Sequence, residues 1–373
     1  MQTIGWRPYT IDSRRAGVRY RCLNPMRDLK RMGLRLELYD ATQPNRYAVV
    51  IVQGLSCLEQ AEGSYGSGDR FIEEVRRLKN QGTTILADDC DNHFYNPGDA
   101  SEWTHMARRL RVLLDLADGW IASTPQVAAV FAREAAQRKP VTIIGDGLEA
   151  ESFLRAGSKW RDLFSPRQRR DGLRARLFSR RLANDGATHL VWFGSHGSSY
   201  ANGGMADLLQ VKDQIESVGR ETPLTLTVIS NSRAKFDKHI ANWSIPTCYH
   251  EWNHVGFSRV LRAHDVALIP VERSEFTDCK TNNRIVTALS HGLAVVADGI
   301  PSYRDFRAVT SLDNWTTGLR SYAFNPVSRR THARLGQALI AESWTADKIA
   351  QQWRQVLEPY LAVARAAGPQ VCR

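Results

Sequence analysis

Between residues 279 and 306 the chain reads CKTNNRIVTALSHGLAVVADGIPSYRDF. Lys280, Thr281, Asn282, Asn283 and Arg284 crowd the start of a predicted helix, about Thr281 to His291, which Gly292 is placed to end as its C′ residue. Unpaired N–H groups and the positive end of the helix dipole favour an anion there, a phosphate above all. Cations at that end cost stability unless an anion stands nearby. Either the segment holds a phosphate-bearing ligand, or Lys280 and Arg284 point into solvent.

In an open parallel sheet, ligands collect outside the C-terminal ends of the strands, so the other strand-leaving loops come next. FGSHGSSYANGG (193–204) offers small residues together with Gly194, Ser195, His196 and Asn202. It is neither a GxGxxG fingerprint nor a P-loop, and reads as a ligand loop or as an ordinary turn. Arg233, just past the run LTLTVISNS (224–232), is a further candidate for nucleotide binding. YHEWNHVGF (249–257) carries Tyr249, Glu251 and Trp252: a carboxylate beside aromatics suits a ribose or a base, or the stretch is a helix entrance with an aromatic staple.

ADDCDNHFYN (87–96) gathers Asp88, Asp89, Asp91 and His93 behind a strand. Carboxylates and an imidazole are adequate ligands for Mg²⁺ or Mn²⁺, but the spacing is that of no dedicated cage. An acceptor or reaction-centre loop is the expectation, with His93, Asp91 and Lys280 as candidate catalytic residues and no metal site. SRRAGVRYRCLNP (13–25) sets Gly17 in a cationic loop that suits the close approach of an anionic ligand, or is a plain surface loop.

The elements that must position these residues alternate. Apolar runs at 47–55, 83–89, 119–124 and 140–147 read as strands, and 68–82 and 102–117 as amphipathic helices, with another opening at Thr124-Pro125. The rhythm restarts with strands in 188–197, 224–232, 265–271 and 293–299 and helices at 204–219 and 255–264. Strands alternating with helices imply α/β sheets of parallel strands covered on both faces. The predicted division is an N-terminal Rossmann-like domain (1–165), a basic joint (166–186), a second Rossmann-like domain (187–342) and C-terminal helices (343–373) packing back on both.

With 373 residues the chain is long enough for two such domains. Six scattered cysteines, with no CxxC pair, argue against a zinc site and a disulfide framework. No run is long and apolar enough to span a bilayer and the N-terminus lacks a secretory core, so a cytoplasmic address is expected. The net charge of +11 is concentrated: residues 155–181 hold ten Lys/Arg against two Asp. Leu173, Leu177, Phe178 and Leu182 are predicted to form one helix stripe among arginines. Such a helix docks between domains, meets anionic lipid at the inner membrane face, or neutralises nucleic-acid phosphates.

Taken together, DVALIPVERSEFTDCKTNNRIVTALSHGLAVVADGIPSYRDF (265–306), GWIASTPQVAAVF with VTIIGDGLE, and LVWFGSHG resemble the retaining, nucleotide-sugar-dependent glycosyltransferases of the GT-B fold, in a divergent, group 1-like form. The resemblance implies two Rossmann-like domains facing across a cleft, with a C-terminal helix crossing back. It implies a nucleotide-diphosphate sugar as donor substrate, no tightly bound cofactor, no metal, and an acceptor that is a glycan or a lipid-linked glycan. It places Lys280, Thr281, Asn282 and Asn283 beside the diphosphate, Tyr249, Glu251 and Trp252 near the nucleoside, and His93 or the 13–21 loop in the cleft. The family's two glutamates eight positions apart are replaced here by Cys279 and Thr287. A DNA-modifying glycosyltransferase, a sugar-nucleotide epimerase and a non-catalytic nucleotide-binding module stand as alternatives.

Overall fold

A computed structural model of the chain describes residues 3–58, 68–149, 166–182, 186–195 and 203–366. The chain divides into two compact units. The first comprises Met1–Gly147, Asp278–Thr281 and Ala346–Arg373, the second Leu148–Thr277 and Asn282–Thr345.

The first unit is built on a six-stranded sheet, all of its pairings parallel: β1 (Thr3–Arg7), β2 (Leu36–Leu38), β3 (Tyr47–Gln53), β4 (Thr84–Asp89), β5 (Gly119–Ala122) and β6 (Val141–Ile143), in the order β2-β1-β3-β4-β5-β6. The run YAVVIVQ becomes β3, buried at six of its seven positions, as a strand covered on both faces requires. Helix Gly68–Asn80 buries Phe71, Ile72, Val75 and Leu78, and Ser101–Leu116 buries Trp103, Met106, Ala107, Leu110, Leu113 and Leu114; both sets follow the helical period. Thr124 caps helix Pro125–Glu134 by accepting the Val127 N–H at 3.2 Å.

Helix Ala346–Ala366 completes this unit. Ile349, Trp353, Leu357 and Leu361, four residues apart, join a core that includes Ile4, Trp6, Val49 and Ile51. The Trp353 and Trp6 rings lie 4.8 Å apart.

The second unit repeats the plan with β7 (Thr188–Phe193), β8 (Leu224–Ser230), β9 (Thr247–Glu251), β10 (Val266–Ile269), β11 (Ala294–Ala297) and β12 (Ser311–Leu312), in the order β12-β11-β10-β7-β8-β9, again parallel throughout. The strand order reverses beside β7, as it does beside β1 in the first unit, and such reversals open ligand crevices at the carboxyl ends. Helix Pro166–Leu182 belongs to this unit.

Several elements differ from expectation. The predicted helix at 281–291 runs only Asn283–Ser290. Its stop is as expected: Gly292 has φ +80°, its N–H donates to the Leu289 carbonyl and Leu293 N–H donates to that of Ala288, the two bonds of a Schellman motif. The segment 204–219 is a 3₁₀ stretch, Gly204–Val211, followed by a short α-helix, Lys212–Gly219, and the helix at 255–264 shrinks to Phe257–Leu261. Gly17 lies in a helical turn, Ala16–Val18, not a loop. That turn continues through a π-helical stretch, Arg19–Leu23, into helix Asn24–Arg31.

Trp353 is fully buried and lies under the Arg21 guanidinium as well as against Trp6. Trp353→Ala is therefore expected to destabilise the protein by about 3–5 kcal/mol, measured by urea unfolding followed through the remaining tryptophans.

Candidate active site

In the first unit, charged and polar groups gather at the carboxyl ends of the strands. Asp88 and Asp89 are the last residues of β4. Asp146 lies just past β6, and Arg21 projects from the π-helical stretch, a geometry frequent at functional positions. Arg21, Asp88 and Asp146 are all at least 97% buried. The Arg21 guanidinium donates to Asp88 through Nε and Nη2 and to the Ile144 carbonyl through Nη1, with Asp146 Oδ1 3.5 Å from Nη1. Burial is the largest influence on Asp88 and Arg21 opposes it; the balance pushes the carboxyl up to about 6.

A second layer of contacts stands on this one. His93 Nδ1 lies 2.7 Å from Asp89 Oδ2, with both side chains buried. Burial works against the imidazolium, but the charge and hydrogen bond of Asp89, with Asp91 beyond, outweigh it and raise the His93 pKa. Lys280 Nζ donates to Asp91 Oδ1 at 2.8 Å, Thr281 Oγ1 to Asp146 Oδ2 at 2.8 Å, and Thr124 Oγ1 to the Cys279 carbonyl at 3.2 Å. The segment Asp278–Thr281 is thus fastened to strand-end groups of the unit to which it belongs.

Lys280 does not stand at the helix start as expected. The lysine precedes the helix by three residues, and an anion of the chain itself, Asp91, meets its charge. A Cβ on Gly17 would meet only Cys90 Sγ at 3.7 Å and Tyr9 at 4.0 Å, ordinary contacts with the protein's own atoms. Among the described residues no group of three or more His, Cys, Asp or Glu is arranged to hold a metal ion, the 88–93 cluster included.

In the second unit the sheet's reversal point is occupied by Arg284, the second residue of helix Asn283–Ser290. Its guanidinium covers the Trp192 ring at 5.2 Å and lies so close to Gly194, at the end of β7, that a Cβ on that glycine would fall 2.6 Å from Nη2. Gly194 is required for this approach. The Gly194 carbonyl accepts from Ser230 Oγ at 2.9 Å. Asp207 is held by the Gly204 N–H at 3.0 Å; burial, the largest influence, raises its pKa to about 6 against the pull of Arg284. Asn282 caps the helix with no side-chain hydrogen bond to it, and Asn283 follows half-buried.

Tyr249 and Glu251 lie on β9, and Trp252 follows it. The Tyr249 hydroxyl donates to the Ser230 carbonyl at 2.8 Å. Arg233 lies over the Tyr249 ring at 5.7 Å and pairs with Asp237 at 2.8 Å. Glu251 and Ser195 are exposed. His196 and Asn202 lie outside the described residues. The structure thus joins Gly194 with Arg284, Arg233 with Tyr249, and His93, Asp91, Lys280 and Thr281 into one cluster. The reading by residue type missed Arg21, Asp146 and Asp207; the cluster of arginines at 14–21 was the sole signal for Arg21.

Replacing Arg21 by Met leaves Asp88 and Asp146 buried without their cation, expected to cost about 3–5 kcal/mol at neutral pH. The freed carboxyls are raised further above their unfolded value of 3.8, so the folded variant keeps protons to a higher pH than the folded parent, whose Asp88 titrates at about 6, and its deficit relative to the parent grows as pH rises above about 6. Urea unfolding of both proteins at pH 5 and pH 7 measures it.

No family model matches the chain, and no curated protein does. Solved structures do. HepE of Anabaena, in complex with UDP and glucose, matches with a TM-score of 0.64 at 11% identity over 96% of this chain and 100% of that one. Sucrose-phosphate synthase of Thermosynechococcus elongatus matches with 0.66 at 13% over 97% and 100%. The pneumococcal O-GlcNAc transferase GtfA, in complex with UDP and GlcNAc, matches with 0.53 at 13% over 84% and 57%. At these identities the likeness is one of architecture, and it extends over nearly the whole chain: two six-stranded parallel sheets with their helices, the GT-B fold of the glycosyltransferases.

Proposed function

We propose that the protein is a glycosyltransferase that moves a sugar from a nucleoside-diphosphate donor to an acceptor hydroxyl, with retention and without a metal ion. The observation that carries this reading is Arg284, a cation in the first turn of a helix, seated at the end of β7 where the strand order reverses. Strand reversal, helix N-terminus and guanidinium each favour an anion at that point. HepE and GtfA were solved with UDP, which supports a uridine donor.

In this reading Arg284, with Asn282 and Asn283 and the free N–H groups of the helix, takes the charge that develops on the departing diphosphate. Glu251 and Trp252, beside the Arg233–Tyr249 pair, serve the nucleoside, and Gly194 and Ser195 the backbone approach. In the first unit, Asp89 and Asp91 favour the charged form of His93, which fits it to donate hydrogen bonds to sugar or acceptor oxygens better than to act as a base. Deprotonation of the acceptor then falls to the leaving phosphate on the same face, with no protein nucleophile. The acceptor is a glycan or a lipid-linked glycan.

Cys279 and Thr287, standing where related enzymes carry glutamates, favour a second reading: a module that binds nucleotide without turnover. Thermal unfolding with UDP and UDP-sugars separates the two. The donor is expected to raise the melting temperature, by the equivalent of about 2.7 kcal/mol at a hundredfold excess over Kd, and Arg284→Ala to abolish the rise. His93→Ala is expected to keep the rise but lose about a hundredfold or more in transfer rate. Binding without hydrolysis or transfer in the unmodified protein identifies the non-catalytic module, and no binding rejects both readings.

A further inference from the structure

Helix Pro166–Leu182, PRQRRDGLRARLFSRRL, is attached to the second unit by one narrow face. Ala175 and Leu182 are buried, and Phe178 packs against the same core. Ala175 closes on Gly256, where an added Cβ would lie 3.0 Å from its own. Phe178 meets the His250 ring at 5.4 Å and that of His264 at 6.1 Å, and Ser179 Oγ reaches the Arg259 carbonyl at 3.4 Å. The single leucine-rich stripe expected from sequence does not exist. Phe178 and Leu182 face inward, whereas Leu173 and Leu177 are 57% and 56% exposed.

At about 100° per residue, those two leucines stand on either side of the line opposite Ala175. Arg170, Arg174 and Arg181 flank them on one side and Arg169, Arg176 and Arg180 on the other, all exposed. The helix carries one acidic residue, Asp171, and that sits toward the attached face, half-buried. No helix among the described residues is long and apolar enough to cross a membrane. The outward surface has the composition of a helix lying in a bilayer interface: an apolar ridge bordered by cations.

We propose that this outward face docks on an anionic lipid surface, with the arginines at the headgroups and Leu173 and Leu177 inserted below them. The charge complementarity would also suit nucleic acid, but phosphates give no reason to set leucines on the outermost line, whereas an anionic bilayer uses both features. The inference is independent of the sugar-transfer reading, because it concerns residues that have no part in donor binding.

Co-sedimentation tests it, using the full chain with vesicles of phosphatidylcholine alone and of phosphatidylcholine with phosphatidylglycerol. The protein is expected to bind the anionic vesicles at low salt, to leave the neutral ones unbound, and to be released by high salt. The double variant Leu173→Ser/Leu177→Ser is expected to bind the anionic vesicles at least about tenfold more weakly, with its melting temperature unchanged because both side chains are exposed. Failure of the unmodified protein to sediment with anionic vesicles overturns the proposal. So does a serine variant that binds as tightly as the parent, which marks a purely electrostatic surface for a polyanion such as duplex DNA.

Discussion

A guanidinium shut away from water must be met by carboxylates, and much of the first unit is arranged to meet the one on Arg21. Asp88 reaches it from the end of β4 and Asp146 from beyond β6, while Trp353 covers it from the C-terminal helix. Without the arginine those carboxylates would be buried charges with no cation to meet them. Without the carboxylates the arginine could not stay inside. The clamp ties two strand ends and the last helix to the π-helical stretch. From the same strand end Asp89 orients His93, and Asp146 accepts a further hydrogen bond from the Thr281 hydroxyl.

The second unit applies the same constraint more openly. Arg284 has an aromatic ring beneath it and a glycine beside it, and it acts on the carboxyl of Asp207, whose burial pushes its pKa up to about 6. A cation at a helix start and a strand reversal is suited to an anionic ligand. The contrast with Lys280 is instructive. That lysine draws the eye first in the sequence, yet Asp91 already answers it.

Strands were legible where the sheet is covered on both faces. The runs that became β3, β4, β7, β8, β10 and β11 are rich in buried apolar residues, with polar side chains mainly at the strand ends of β3 and β4 and as threonines along β8. Three of the unpredicted strands lack that mark: β9 is only partly buried, β12 has two residues, and β2 has three at an edge; the fourth, β1, is buried but short, and its run TIGWR includes a glycine and an arginine. The two successive α/β sets were legible for the same reason, since they follow from the alternation, whereas the GT-B fold was read from a resemblance of particular segments. The site was legible in its local part, as loops behind strands and a helix rich in donors. Its long-range part was not. Lys280 and Asp91 are 189 positions apart and Arg21 and Ile144 are 123 apart, and no local pattern distinguishes the buried Arg21 from the exposed Arg14 and Arg15 nearby.

The central claim is that Arg284 at the end of β7 receives a diphosphate. A crystal structure of the protein with a nucleoside diphosphate at saturating concentration tests it most directly. The account predicts diphosphate oxygens within hydrogen-bonding distance of the Arg284 guanidinium, at the start of helix Asn283–Ser290 and beside Gly194. A nucleotide bound elsewhere, with Arg284 still turned to Trp192 and Asp207 alone, would contradict it.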